Sequence, residues 1–197
     1  MHIPGMKVII PSTPRDGKGL LTSAIFDPDP CLFVETIRLQ GQKGMVPTDP
    51  GFSIPLGLAD IKRPGADVSL IGYGRSVVDS LAAAEILAAE HGVDAEVVDL
   101  RTLVPLDVET IVESVGRTRR AVISHHAVQF AGPGAEVAAI LSAELFGRLK
   151  APIERVGARF VPTPAAGALE AAVLPSPARI VEAALRTLKP STASVRG

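Results

Sequence analysis

The chain has 197 residues, 47% hydrophobic and 21% charged, with a formal net charge of −1. This is the composition of a globular protein with a core. The net charge near zero argues against a protein that binds nucleic acid. No apolar run approaches the roughly 18 residues of a membrane helix. Cys31 is the only cysteine, which excludes an internal disulfide, favours a cytoplasmic location and suggests a small buried hydrophobe.

The pattern of residues 1–38 predicts a strand, a helix and a second strand. Lys7–Ile10 is a short β-rich run, a helical pattern opens at Asp16, and Cys31–Val34 is a second apolar run. A single unit of this kind does not cover both faces of its own sheet. We therefore interpret it as the last part of a larger domain, followed by a linker rich in glycine and proline at residues 39–57.

From Leu58 onward, strand patterns alternate with helical patterns. The strands are expected at Ala59–Arg63, Val68–Tyr73, Ala95–Val98, Ala121–Ser124 and Ile153–Val156, and the helices from Ser76 to Gly92, from Asp107 to Gly116, over 134–146 and from Ser176 to Leu188. Such alternation predicts a mostly parallel sheet with helices on both faces, a three-layer α/β/α domain. We assign it residues 58–190 and expect a flexible tail at 191–197.

A glycine-rich turn lies between the second strand and the next helix. Gly72, Gly74 and Val77 occupy the positions of a dinucleotide-binding fingerprint, but valine stands where the third glycine is needed. One interpretation is a nucleotide-binding regulator, and the other is a tight turn. Further along, the segment Gly132–Glu136 opens a helix, and its acidic first turn favours capping over phosphate binding.

Two polar clusters lie at predicted strand ends, where open α/β sheets bind ligands. His125 and His126 are adjacent, so they point to opposite faces and do not readily chelate one metal; a cleft-facing histidine and a hydrogen-bonded one both remain open. Asp99 and Arg101 begin a loop that runs to Asp107. They form either an internal ion pair or a contact with a partner.

Several runs, in order, resemble one family. They are His2–Val8, Pro11–Pro14 with Asp16, Lys18–Leu21, Ile54–Gly57, Asp99–Leu103 with Pro105 and Asp107, and Gly134–Glu136. Together they resemble the beta subunit of the thiamine-diphosphate-dependent component of pyruvate, branched-chain 2-oxo acid and acetoin dehydrogenases, in the transketolase superfamily. The resemblance implies a partial pyrimidine-binding domain, then a transketolase C-terminal domain whose single antiparallel strand is Ala59–Arg63.

The resemblance also implies a function in a larger assembly. The family decarboxylates a 2-oxo acid and passes the acyl group to a lipoyl arm, with an alpha subunit, a second beta chain and a lipoyl-bearing acyltransferase as partners. Thiamine diphosphate and magnesium are expected only in the assembled enzyme, and the isolated chain is expected to be inactive. The family's catalytic glutamate and histidine precede the His2–Val8 run, so no catalytic residue is carried over.

The resemblance implies two further sites. Oxygen atoms of one segment hold a monovalent cation, expected to be potassium, in some members; the matching residues are Ala24, Ile25, Asp27 and Asp29. The alternative is that the two aspartates only end a helix.

The partner-facing residues are expected to be Asp99, Arg101 and His125. The sequence departs from the family pattern at Gln40, His126 and Val128–Phe130, which leaves the substrate class and the partner surface open. A non-catalytic assembly module stays an alternative function.

Overall fold

The computed structural model describes residues 1–189 as two β-sheets with six α-helices. In chain order the elements are β1 (Lys7–Ile9), α1 (Pro14–Ile25), β2 (Cys31–Phe33), β3 (Asp60–Arg63), β4 (Val68–Gly72), α2 (Arg75–His91), β5 (Ala95–Asp99), β6 (Thr102–Val104), α3 (Val108–Thr118), β7 (Ala121–Val128), α4 (Pro133–Glu144), β8 (Glu154–Ala158), α5 (Gly167–Val173) and α6 (Pro177–Leu188). No helix within residues 1–189 is long and apolar enough to cross a membrane. The predicted tail at 191–197 lies outside the described residues.

The larger sheet has the strand order β3-β5-β4-β7-β8. Its neighbouring strands are parallel except β3, which runs antiparallel to β5 and places Asp60 opposite Asp99. The mostly parallel sheet and its single antiparallel strand are confirmed. Strand β4 is buried at every residue, as expected for a central strand covered on both faces.

Helices cover both faces of this sheet, which confirms the three-layer α/β/α architecture. On one face α2 packs over β4, β5 and β7 and α6 packs over β4, β7 and β8, with Leu87 and Ile180 fully buried. On the other face α3 and α4 pack through Ile111 and Leu141. Burying apolar side chains on two faces is the main stabilising contribution to such a domain, roughly 25 cal/mol per Å² of apolar surface removed from water.

Local capping chemistry sets several helix boundaries. Gly92 ends α2 in the left-handed conformation (φ 63°), and the Asp107 side chain accepts a hydrogen bond from the Thr110 amide at the start of α3, as predicted. The predicted end of α3 at Gly116 was wrong. The helix runs two residues further to Thr118, and Arg119 takes the left-handed position (φ 60°).

A smaller sheet joins the first residues of the chain to the domain. Its order is β2-β1-β6, with β1 parallel to β2 and antiparallel to β6. The prediction that the segment after Asp99 is only a loop was wrong, because it contains β6. Strand pairing therefore attaches residues 7–33 to the domain through backbone hydrogen bonds that no local sequence pattern indicates.

Other corrections concern short or extended elements. Strand β7 continues to Val128, so His125 and His126 lie within it rather than at its end, and the short helix α5 was not predicted. Cys31 is only half-buried. Within the expected linker, Ile54 is buried and its amide donates to the Gly19 carbonyl (3.0 Å), so this part of the segment packs along α1.

Candidate functional site

The main cluster of charged side chains lies where α1 meets the edge of the larger sheet. We call it the charged junction and define it as Ser12, Asp16, Asp60, Lys62, Asp99 and Arg101. Its members come from three separate parts of the chain, residues 12–16, 60–62 and 99–101. The strand β3 supplies Asp60 and Lys62, whose spacing of two residues puts both side chains on one face. The turn after β5 supplies Arg101.

Arg101 is the central cation of the charged junction. Its Nη2 donates to Asp16 Oδ1 (2.7 Å) and Asp60 Oδ2 (2.8 Å), and its side chain is only 9% exposed. Its carbonyl accepts from the Ile10 amide (2.8 Å), next to the β1–β6 pairing. The residue has φ 57°, an uncommon conformation for a side chain larger than glycine. The turn is thus held by both backbone and side-chain contacts.

Lys62 is the second cation. Its Nζ donates to Asp60 Oδ2 (2.7 Å) and to the Asp16 carboxylate, and it lies 3.6 Å from Asp99 Oδ2. Burial is the largest influence on the pKa of Asp16 and would raise it, but hydrogen bonds from Lys62 and Thr13 outweigh burial and leave that pKa lowered. Burial would lower the pKa of Lys62, but the hydrogen bonds that Lys62 donates to Asp16 and Asp60 outweigh it and leave that pKa raised.

The pKa of Asp99 is shifted in the direction opposite to that of Asp16. Asp99 is fully buried, and that burial raises its pKa from 3.8 to about 6. Hydrogen bonds from Ser12 and from the Arg101 amide, together with the charge of Lys62, lower this pKa but do not outweigh burial. Asp99 and Arg101 do not pair through their side chains, since Asp99 Oδ1 accepts only the Arg101 backbone amide (3.0 Å). The one hydroxyl beside a carboxylate, Ser12 on Asp99, is buried with its partner, so the geometry suits fastening rather than catalysis.

The two adjacent histidines point to opposite faces of β7. The His125 ring lies nearly parallel to Tyr73 (centroids 6.0 Å apart, 12°), and its Nδ1 lies 3.0 Å from the Ala127 carbonyl. Burial lowers the pKa of His125, which favours the neutral imidazole. His126 instead reaches Asp79 on α2 (2.9 Å). Within residues 1–189, no group of three metal-binding side chains is present.

The first turn of α4 packs directly against His125. A Cβ at Gly134 would lie 2.6 Å from His125 Nε2 and 3.1 Å from a methyl group of Ile123. By contrast, Gly17 in α1 has nothing within 4 Å of an added Cβ. The glycines of this turn therefore serve close packing, and the Glu136 carboxylate occupies its acidic first-turn position as predicted.

We expect Gly134→Ala to lower the free energy of unfolding by about 1–3 kcal/mol, because the new methyl group displaces the buried imidazole. Gly17→Ala is the matched control and should raise stability by up to about 1 kcal/mol through helix propensity. Urea unfolding followed by circular dichroism measures both. A stabilising Gly134→Ala change would contradict the packing described for His125.

The turn at Gly72 and Gly74 is explained by packing as well. Gly74 has φ 54°, and an added Cβ would lie 3.0 Å from Ile10 and 3.3 Å from Thr36 Oγ1. The first block of the chain thus covers the turn that a dinucleotide would need, and the tight-turn interpretation agrees with the structure. The nucleotide-binding interpretation of this motif finds no support in these contacts.

The predicted cation segment ends α1. Lys7 Nζ lies 2.7 Å from Asp27 Oδ1 and 3.1 Å from Asp29 Oδ2, so an ammonium group contacts both carboxylates. The Asp29 amide also donates to Asp27 Oδ1 (2.9 Å), the turn expected where aspartates end a helix. The other two predicted ligands, Ala24 and Ile25, are the last residues of α1. Lys7 was not predicted to lie here.

The predicted partner-facing residues have almost no exposed area. Asp99 and His125 are 0% exposed and Arg101 is 7% exposed. Sequence reasoning missed Asp16, Asp60 and Lys62, although the same-face spacing of Asp60 and Lys62 in a predicted strand was an available signal. The partner contact through Asp99, Arg101 and His125 stays a prediction.

Comparison with known proteins identifies the family. Residues 57–180 match the model of the transketolase C-terminal domain. The chain is 46% identical over 188 residues to the acetoin:2,6-dichlorophenolindophenol oxidoreductase subunit beta of Cupriavidus necator, covering 95% of this chain and 55% of that protein. It is 44% identical to the pyruvate dehydrogenase E1 component subunit beta of Bacillus subtilis, covering 94% of this chain and 57% of that one.

A solved structure shares the fold. A split-gene transketolase, described as an inactive beta4 tetramer, superposes with a TM-score of 0.73 at 24% identity and covers 95% of this chain and 58% of that one. The chain spans about half the length of the curated relatives named above. It belongs to the transketolase C-terminal domain family, and it is similar in sequence to beta subunits of pyruvate dehydrogenase and of the acetoin oxidoreductase.

Proposed function

We propose that this chain supplies the C-terminal part of a beta subunit of a 2-oxo acid dehydrogenase, which decarboxylates a 2-oxo acid and transfers the acyl group to a lipoyl arm. The observation that carries the proposal is the 46% identity to an oxidoreductase beta subunit over 95% of the chain. Thiamine diphosphate and magnesium belong to the assembled enzyme, where the cofactor supplies the electron sink. A cytoplasmic location is part of the proposal, because a lone cysteine suits a reducing compartment.

Exposed apolar side chains support a role within an assembly. On α1 and β2, the exposed fractions are 66% for Ile25, 83% for Phe26 and 48% for Leu32. Clustered apolar exposure of this kind is typical of a surface that a partner covers. The proposed partners are the alpha subunit, a second beta chain and the lipoyl-bearing acyltransferase.

An assembly module without catalysis is the second candidate. The observations in its favour are that Ser12 and Asp99 of the charged junction are both buried, and that a structural relative is described as an inactive beta4 tetramer. The two candidates differ in whether a complex with an alpha subunit turns over a 2-oxo acid.

We expect the isolated chain not to bind thiamine diphosphate in the presence of magnesium, because the family's pyrimidine and diphosphate motifs do not occur in this sequence. Isothermal titration of the purified chain tests this, and micromolar binding would contradict it. Co-purification with an alpha subunit then separates the candidates. Decarboxylation that needs both chains supports the enzyme subunit, and a stable complex without turnover favours the assembly module.

The monovalent-cation site remains part of the proposal. Carboxylate and carbonyl oxygens at the end of α1 are hard ligands suited to potassium, and Lys7 is a competing cation for Asp27 and Asp29. We expect the melting temperature to be higher in potassium chloride than in tetramethylammonium chloride of equal ionic strength. Asp27→Asn should abolish that difference. The same melting temperature in both salts would favour helix termination as the whole role of these aspartates.

A further inference from the structure

A cationic cleft lies beside β8, away from the charged junction. It has a volume of about 410 Å³, and its lining includes three arginines, Arg155, Arg159 and Arg179, together with Phe130 and Phe160. That volume falls within the roughly 300–1,000 Å³ of small-molecule sites. The cleft is at the carboxyl ends of the parallel strands β7 and β8, the edge at which open α/β sheets bind ligands.

The arginines of the cleft are not neutralised by neighbouring carboxylates. Within residues 1–189 none of the three forms an ion pair, and no aspartate or glutamate lines the cleft. Arg179 donates to the backbone carbonyls of Leu174 (2.9 Å) and Gly157 (3.0 Å), which orient the guanidinium but leave its charge unbalanced. Its pKa is lowered by burial and by Arg159, and the nearby Glu182 acts in the opposite direction.

Two exposed aromatic rings form one wall of the cleft. Phe130 and Phe160 meet edge to face, with centroids 5.1 Å apart and planes at 61°, yet they are 70% and 73% exposed. Such rings are costly to leave in water unless something packs on them. Both rings line the same cleft as the three arginines, so they offer an apolar surface beside the cationic groups.

The floor of the cleft is rigid. The Gln129 amide donates to the Ala158 carbonyl (2.9 Å), and a Cβ at Gly157 would lie 2.7 Å from Gln129 Cα. Only glycine allows this close approach of the two strands at that point. Arg155 adds a weaker bond to the Gln129 carbonyl (3.4 Å), so two of the three guanidinium groups are held by backbone atoms.

We propose that this cleft binds a mononucleotide, with the phosphate on the three arginines and the base on the phenylalanine pair. A phosphomonoester carries a charge of about −1.5 to −2 at neutral pH, which balances a cluster of guanidinium groups better than a single carboxylate does. Arginine also matches the geometry of phosphate oxygens through paired N–H donors. The aromatic wall supplies stacking, which holds a base largely irrespective of its identity.

Isothermal titration of the full chain with AMP, GMP, CMP and UMP tests the proposal, with inorganic phosphate and adenosine as partial ligands. We expect all four nucleotides to bind, and phosphate and adenosine each to bind at least about tenfold more weakly than AMP. Arg159→Gln should weaken AMP by about tenfold and leave adenosine unchanged. Phe160→Leu should weaken AMP and adenosine and leave phosphate unchanged.

Arg148→Gln is the matched control, because Arg148 is exposed but does not line the cleft. It should leave the affinity for AMP unchanged. Circular dichroism melts of all three variants confirm that each is folded, since the altered side chains are exposed. The proposal is overturned if none of the four nucleotides binds, if phosphate alone binds as tightly as AMP, or if the control weakens AMP as much as Arg159→Gln does.

Discussion

Arg101→Met should lower the free energy of unfolding by about 3 kcal/mol. The substitution leaves Asp16, whose side chain is 1% exposed, with only Lys62 as a nearby cation, and Asp60 loses one of its two partners. Removing one partner of a buried charge network is costly because the remaining charges stay desolvated. Methionine keeps most of the apolar volume of the arginine stem, so the loss reports mainly on charge.

Arg38→Met is the matched control for this prediction. Arg38 pairs with Glu170 at the surface with its side chain 51% exposed, so the same substitution should cost less than about 1 kcal/mol. Urea unfolding of both variants at neutral pH gives the comparison. Equal losses would mean that the charged junction contributes no more than a surface ion pair, contrary to the burial described above.

The titration of Asp99 should lower the free energy of unfolding as the pH rises from about 4.5 to 7.5. The pKa of Asp99 is raised to about 6 in the folded protein from 3.8, so the folded state binds more protons than the unfolded state in this window. Stability therefore falls with increasing pH, by about 2 kcal/mol across the window, at 1.36 kcal/mol per pKa unit. Asp16 and Lys62 titrate outside it, because the pKa of Asp16 is lowered and that of Lys62 is raised.

The comparison with Asp99→Asn isolates this effect, because all other titratable groups are common to both proteins. The difference in unfolding free energy between wild type and variant should shift by about 2 kcal/mol between pH 4.5 and 7.5. Ser12→Ala removes a hydrogen bond that lowers the pKa of Asp99. The pH at which the Asp99 contribution to stability is lost should therefore be higher in this variant. A difference that does not change with pH would contradict the raised pKa.

Both experiments concern the attachment of residues 7–33 to the larger domain. The charged junction and the β1–β6 pairing act at the same place, and the Arg101 carbonyl accepts the Ile10 amide there. If Arg101→Met destabilises the chain strongly, hydrogen exchange of the β1 amides in the variant indicates whether the smaller sheet opens first.

The sequence by itself determined the layered domain. The spacing of apolar residues and the caps at Asp107 and Ser176 depend on contacts within one turn or one strand. A short window of sequence was therefore enough to predict these elements. The order of the family motifs was likewise sufficient to predict the family and the antiparallel strand. The opposite orientations of His125 and His126 followed from the period of a strand alone.

Only the tertiary structure decided which charges meet. Asp16 and Arg101 are 85 positions apart and Ser12 and Asp99 are 87 apart, and no periodic pattern connects them. Strand β6 has three residues and forms only because β1 lies beside it, so its pairing is a long-range contact that local propensity does not encode. The same holds for the cationic cleft, where the residues that follow β7 meet residues of β8 and α6, because the sheet order places β7 and β8 side by side.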